Sequence, residues 1–295
     1  MRSLHFTICC FLFVSIGASV AYSGKEENVN TPQSLYSILG QIQYSFTLQN
    51  KTNRLLEKAE FWTYAPVKKT STQRSVKIEV SHPYDLIEDE LGNQILHFTF
   101  ENLPPYSSKI ITIRADIEFS DISNPISADK KSFLKAERYI ESDNHELKQL
   151  SDKFRSSTPL KTAESIFLWV ADNIKYAGYL KDERGALYAF KNKKGDCTEF
   201  MDIFVALSRA NNIPARRIGG YVVKTSAILE PYEYHNWAEF YDKGTWKIAD
   251  PQKKVFMENQ SHYIAMRIMG ESPDNPMGEF NRFRFTGDGL EVRMN

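Results

Sequence analysis

The chain has 295 residues, with 37 lysines and arginines against 37 aspartates and glutamates, so its formal charge is zero. Hydrophobic residues make up 42% and charged ones 25%, a globular mixture that excludes intrinsic disorder, a collagen-like repeat and a polytopic membrane protein. The neutral balance removes the electrostatic reason to expect nucleic acid or anionic lipid as a partner, and the length suits two domains of ordinary size.

Arg2 is the only charge ahead of a short apolar run from Ile8 to Val14, which is followed by the small residues Gly17, Ala18, Ser19 and Ala21 and then by polar Ser23 to Glu27. This order reads as a secretory signal peptide over residues 1–21. The apolar run is short of the roughly 20 residues a spanning helix needs, which argues against a retained anchor. A secreted or periplasmic location is therefore expected, with no membrane span after cleavage. Loss of Cys9 and Cys10 leaves Cys197 as the lone cysteine, so no internal disulfide is expected. The thiol is then either buried and inert or chemically employed.

Residues 22–127 read as an all-β, sandwich-like domain. Ile42, Tyr44, Phe46 and Leu48 alternate with polar residues, and the same period-2 pattern returns at Val76, Ile78 and Val80 and at Leu96, Phe98 and Phe100. Gly92-Asn93 and Pro104-Pro105 punctuate these strands. Nothing there carries chemistry, so support, substrate presentation or partner binding is the expected role.

Residues 128–295 read as a second, α+β domain. Pro159 opens a helix in which Ala163, Ile166, Phe167, Val170 and Ile174 fall at helical spacing. Residues 177–195 read mostly as loop. A second helix is expected from about Asp196 to Ala210, then strands at about 216–224, 235–241 and 245–249, and a last hairpin turning at Gly287-Asp288-Gly289.

The chemistry centres on Lys194-Gly195-Asp196-Cys197-Thr198-Glu199-Phe200. Asp196 is a good N-cap and Glu199 completes a capping-box pattern, which puts Cys197 first in the helix. Backbone N–H groups and the positive end of the helix dipole there favour a thiolate and an oxyanion. A nucleophilic thiol needs a base, and of six histidines only His235 has a supporting pattern. Tyr234 to Tyr241 reads as a strand, Asp242-Lys243-Gly244 as a tight turn, and Thr245 to Ala249 as the returning strand ending at Asp250-Pro251. A two-residue loop at Asp242-Lys243 places His235 directly across from Asp250; other turn choices move the partner by one or two residues. The carboxylate can then fix the imidazole tautomer.

These motifs, with Ile213-Pro214-Ala215-Arg216, Gly219-Gly220-Tyr221, His235-Asn236-Trp237-Ala238-Glu239 and Gly244-Thr245-Trp246 in the same order, resemble the core of the transglutaminase-like superfamily over roughly residues 160–255. The resemblance implies a papain-like core, with a Cys-bearing helix packed on an antiparallel sheet. It implies Cys197 as nucleophile, His235 as general base and Asp250 as its orienting partner. It also implies acyl transfer on protein or peptide amides through a thioester, resolved by water or by an amine. No dense acidic cluster suggests calcium, and no cofactor is implied. Tyr176 and Tyr179 are candidates for a second oxyanion donor. Trp237 and Trp246 could shield the acyl-enzyme, although strand tryptophans are more often core. Two other readings stand beside this one. The first is a silent module that binds through its β-sandwich. The second is a metal site at Cys197 and His235, for which two ligands fall short of the three or four zinc takes.

Overall fold

Alternating side chains build the first half of the molecule, as the period-2 pattern requires. A computed structural model describes residues 35–127, 130–224, 226–270 and 273–295. The expected signal segment lies outside them. Six strands come first: β1 (Ile38–Asn50), β2 (Leu56–Ala65), β3 (Gln73–Val80), β4 (Asp85–Glu88), β5 (Gln94–Leu103) and β6 (Ser108–Phe119). They form two antiparallel layers, β1-β6-β3 and β2-β5-β4. The inward residues of one layer (Tyr44, Phe46, Ile111, Ile113) meet those of the other (Phe61, Ile95, Phe98) in one core, with the Phe46 and Phe61 rings 4.9 Å apart. This is the packing of a β-sandwich.

The helices follow: α1 (His145–Asp152), α2 (Pro159–Asn173), α3 (Gly185–Asn192) and α4 (Cys197–Ala210). Asn144 caps α1, and Thr158 caps α2, where proline occupies the first turn. α4 is buried along nearly all its length, so it is the central helix. α3 lies inside the segment read as loop. Its apolar stripe is only Ala186 and Ala189 facing the core, with Leu187 and Phe190 at its margin, too short to stand out among Gly, Lys and Asp. Two short strands, β7 (Lys175–Tyr176) and β8 (Lys194–Gly195), pair in parallel on either side of it.

The remaining strands are β9 (Ala215–Val222), β10 (Ala227–Ile228), β11 (Tyr234–Asp242), β12 (Thr245–Asp250), β13 (Val255–Phe256), β14 (Tyr263–Met269), β15 (Phe283–Thr286) and β16 (Leu290–Met294). A five-stranded antiparallel sheet runs β13-β12-β11-β9-β14. α4 packs on it through Phe204, whose ring centre lies 6.1 Å from that of Phe240. The molecule is thus an α+β core joined to an all-β sandwich.

Gly219 and Gly220 sit in the middle of β9 because nothing larger fits. A Cβ on Gly220 would lie 2.0 Å from the Ile264 carbonyl oxygen and 2.9 Å from the Trp237 ring. One on Gly219 would lie 2.1 Å from the Tyr234 hydroxyl.

The expected C-terminal hairpin is not one. β15 pairs with β2, and β16 pairs with β1, so the Gly287–Gly289 turn carries the chain from one layer of the sandwich to the other. The boundary expected at residues 127 and 128 is crossed by these two strands. It is crossed again by side chains of the sandwich that bond β14, and residues 34–295 form one compact unit.

Candidate active site

Cys197 occupies the first position of α4. The Asp196 carboxylate accepts from the Thr198 N–H at 2.8 Å, and the Glu199 carboxylate accepts from the Asp196 N–H at 2.9 Å. The capping box is complete, as the sequence indicates. The same two carboxylates do a second job: Asp196 accepts from the Leu180 N–H at 2.9 Å and Glu199 from the Arg184 N–H at 3.0 Å. The segment preceding α3 is thereby pinned to the turn that carries the cysteine.

His235 and Asp250 come together, by a register different from the one expected. The two-residue loop is Lys243-Gly244, both at positive φ, and Ala238 pairs with Ala249. This shifts the pairing by two residues. Extending it puts Asp250 level with Trp237, on the same face of the sheet as His235 and diagonal to it. The His235 Nε2 to Asp250 Oδ2 distance is 2.7 Å, and both residues are buried. Asp250 also accepts from the Tyr263 hydroxyl at 3.0 Å and, through Oδ1, from the Lys253 N–H at 3.1 Å. With Nε2 engaged, Nδ1 is the imidazole nitrogen left for proton transfer.

The helix start and the sheet meet at Asn236. Its side-chain amide donates to the Thr198 hydroxyl at 2.9 Å, and its backbone N–H is close enough to Cys197 to favour the thiolate. Cys197 therefore lies against the residue that follows His235 in β11. Burial is the largest influence on the thiol and the Asp196 charge the next, and together they push its pKa up to about 12 against the pull of the Asn236 N–H and the Thr198 hydroxyl. The expectation from helix position alone was a favoured thiolate; desolvation and the adjacent carboxylate run the other way.

Of the tyrosine candidates, Tyr179 lines the cleft that holds Cys197 and Tyr176 lies outside its lining. The cleft encloses about 630 Å³ and is walled by the 179–183 segment, by Pro231, Tyr232, Tyr234 and Asn236, and by residues 280–283 with Phe285; His235 and Asp250 lie outside its lining. The two tryptophans are core. Trp246 is fully buried under the Arg216 guanidinium, 4.2 Å from its ring centre. Trp237 is buried too and stacks on His235 at 6.5 Å. Among the described residues no cluster of three or more His, Cys, Asp or Glu could hold a metal ion, and no helix is long and apolar enough to cross a membrane.

Sequence reasoning missed Tyr263, Asn236 and the 280–285 wall. Asn236 stood beside His235 in a quoted motif. Tyr263 is 13 residues from Asp250, on a strand that reaches it only through the folded sheet, so no local pattern marks it.

Residues 148–251 match the transglutaminase-like superfamily, so this segment is similar to the core of that superfamily. A 132-residue stretch is 35% identical to an uncharacterized protein of Haemophilus influenzae, covering 43% of this chain. The match spans only about a third of that relative, 36% of its length. The fold is similar to a crystal structure described as a "putative cysteine protease" from Cytophaga hutchinsonii, with a TM-score of 0.61 over 88% of this chain and 90% of that one, at 17% identity.

Proposed function

We propose that the protein is a thiol-dependent acyl-transfer enzyme acting on amide carbonyls of proteins or peptides. His235 Nδ1 takes the Cys197 proton as the sulfur attacks the carbonyl carbon. In the first turn of α4 the Thr198 N–H is taken by the Asp196 cap, and the Cys197 N–H is the one that meets the oxyanion. Collapse of the tetrahedral adduct breaks the C–N bond, and the imidazolium returns its proton to the departing nitrogen. The thioester is then attacked by water or an amine, whose proton passes to His235 and on to the departing sulfur. Hydrolysis is the favoured resolution, because water is always present. Asp250 holds the imidazole through Nε2 and stabilises its positive charge. The signal-type pattern of residues 1–21 supports a periplasmic or extracellular location for this work.

One observation carries the reading: the 2.7 Å His235–Asp250 bond beside a cysteine at a helix start, joined to the same strand through Asn236. The test is release of ammonia or a new amine from peptide amides, measured with wild type and Cys197→Ala. Turnover by wild type alone is expected. Equal binding of a protein partner by both forms, with no turnover by either, would favour a silent module.

A further inference from the structure

A single large aromatic side chain left in water is ordinary, but a group of them around one cleft is not. Tyr179 and Tyr232 are each 83% exposed, Phe280 55% and Phe285 39%, and all four line the cleft that contains Cys197. They come from three separate stretches of chain, so the grouping is made by the fold. Phe283 roots the wall. It packs on Phe46 and Phe61 of the sandwich, with ring centres 5.3 Å and 6.1 Å away, and its own ring lies 6.5 Å from that of Phe285. Side chains on one face of an extended polypeptide recur every ~6.6 Å, twice the rise per residue. That spacing is the repeat of β15 itself, and β15 is an edge strand, pairing with β2 alone among the described residues, so its other edge offers unpaired main-chain groups to an extended chain.

Charge does not select the occupant. Lys181 and Arg282 stand among Asp182, Glu183, Asp196 and Glu199 around the same cleft, but Asp196 and Glu199 are taken by backbone N–H groups and Glu183 by Arg217, which leaves Lys181 against Asp182. Arg282 is moreover occupied, donating to the Pro231 carbonyl at 2.9 Å with its guanidinium beside the Tyr234 ring. The aromatic rings are what remains to recognise a ligand.

We infer that this collar is the acyl-donor subsite, and that it takes an extended polypeptide with bulky apolar or aromatic side chains flanking the attacked amide. The inference rests on the acyl-transfer reading, and it gives the β15 strand of the sandwich a share in substrate choice.

The test uses the full chain and two short peptide probes with a chloroacetamide at the position of the attacked amide. One carries phenylalanine at alternate positions on each side, the other glycine. Labelling of Cys197 is followed by mass spectrometry. Wild type should label with the phenylalanine probe roughly tenfold faster or more, as expected for an apolar side chain entering a fitted pocket. That ratio should fall to within about threefold in Phe285→Ser and in Tyr232→Ser, and persist in Phe285→Tyr. Tyr232 is too exposed for its loss to unfold the chain. Equal labelling of wild type by both probes, with Cys197 still reacting with plain iodoacetamide in a His235-dependent way, would overturn the collar and leave the acyl-transfer reading standing. Protection of Cys197 by chito-oligosaccharides without a phenylalanine advantage would also overturn it, in favour of a glycan. Absence of any Cys197 labelling would overturn the acyl-transfer reading and the collar with it.

Discussion

Asp250 is the most heavily restrained side chain of the site. It takes the His235 Nε2, the Tyr263 hydroxyl and the Lys253 N–H, and it is nearly inaccessible to water. Tyr263 is pushed above its ordinary range by burial and by the Asp250 charge, so it remains a neutral donor at any physiological pH. A carboxylate in this place can only accept, which keeps the proton on Nε2 and leaves Nδ1 free to act as base. An amide in the same place can turn its NH2 toward Nε2 and force the other tautomer. Asp250→Asn should therefore reduce kcat by on the order of 10³–10⁴ with little change in KM, measured by steady-state kinetics on a peptide amide. A loss smaller than about tenfold would mean that Asp250 does not set the tautomer. The residues that carry this argument were legible because Cys197 stands alone and His235 and Asp250 fall on one hairpin. Tyr263 was not, since its contact exists only once β14 and β12 are assembled in one sheet.

At the scale of elements, the hairpin shows what a sequence can and cannot specify. Strand parity was readable: moving a two-residue loop by one residue changes the pairing register by two, so His235 and Asp250 stay on one face. The loop itself was not, because Asp242-Lys243 and Lys243-Gly244 both look like turns. The structure selects the second, where positive φ falls on Lys243 (47°) and Gly244 (89°), the signs a type I′ turn requires at its two central positions. Asp242 then belongs to β11 and pairs with Thr245. The last hairpin failed for a different reason. Gly287-Asp288-Gly289 is a good turn, but local turn chemistry does not say whether the strands it joins pair with one another. Here each finds a longer strand instead, β15 on β2 and β16 on β1, where Leu290 and Val292 can be buried. α3 escaped notice because two buried alanines give almost no periodic signal.

Across the whole molecule, the sandwich and the papain-like core are joined by more than the returning chain. β14 is an edge strand of the core sheet, and two side-chain amides of the sandwich pair with its backbone as another strand would. Gln73 donates to the Ala265 carbonyl at 2.9 Å and accepts from the Ala265 N–H at 2.7 Å. Asn93 does the same at Ile268, at 2.9 Å and 2.6 Å. Both amides are buried; removing Asn93 leaves the Ile268 N–H and carbonyl without partners or water, whereas the Ala265 carbonyl would keep the Val67 N–H at 2.8 Å. Asn93→Ala should lower stability by about 2–4 kcal/mol in denaturant unfolding, a large part of what a domain of this size has. A change below about 0.5 kcal/mol would show that the junction contributes little. The cleft lies where these two parts meet, with the nucleophile from one and Phe283 and Phe285 from the other.

The central claim is that His235 activates Cys197, and the most direct measurement is the pH dependence of Cys197 alkylation by iodoacetamide in wild type and in His235→Ala. The thiol by itself is pushed up to about 12 by burial and then by Asp196. At that pKa the thiolate is a minute fraction at neutral pH, and reactivity there requires the imidazole to take the proton. The account predicts a wild-type thiol that reacts below pH 7, and a His235→Ala thiol that is silent there and reacts only as the pH climbs well into the alkaline range. Superimposable profiles for the two proteins would contradict it.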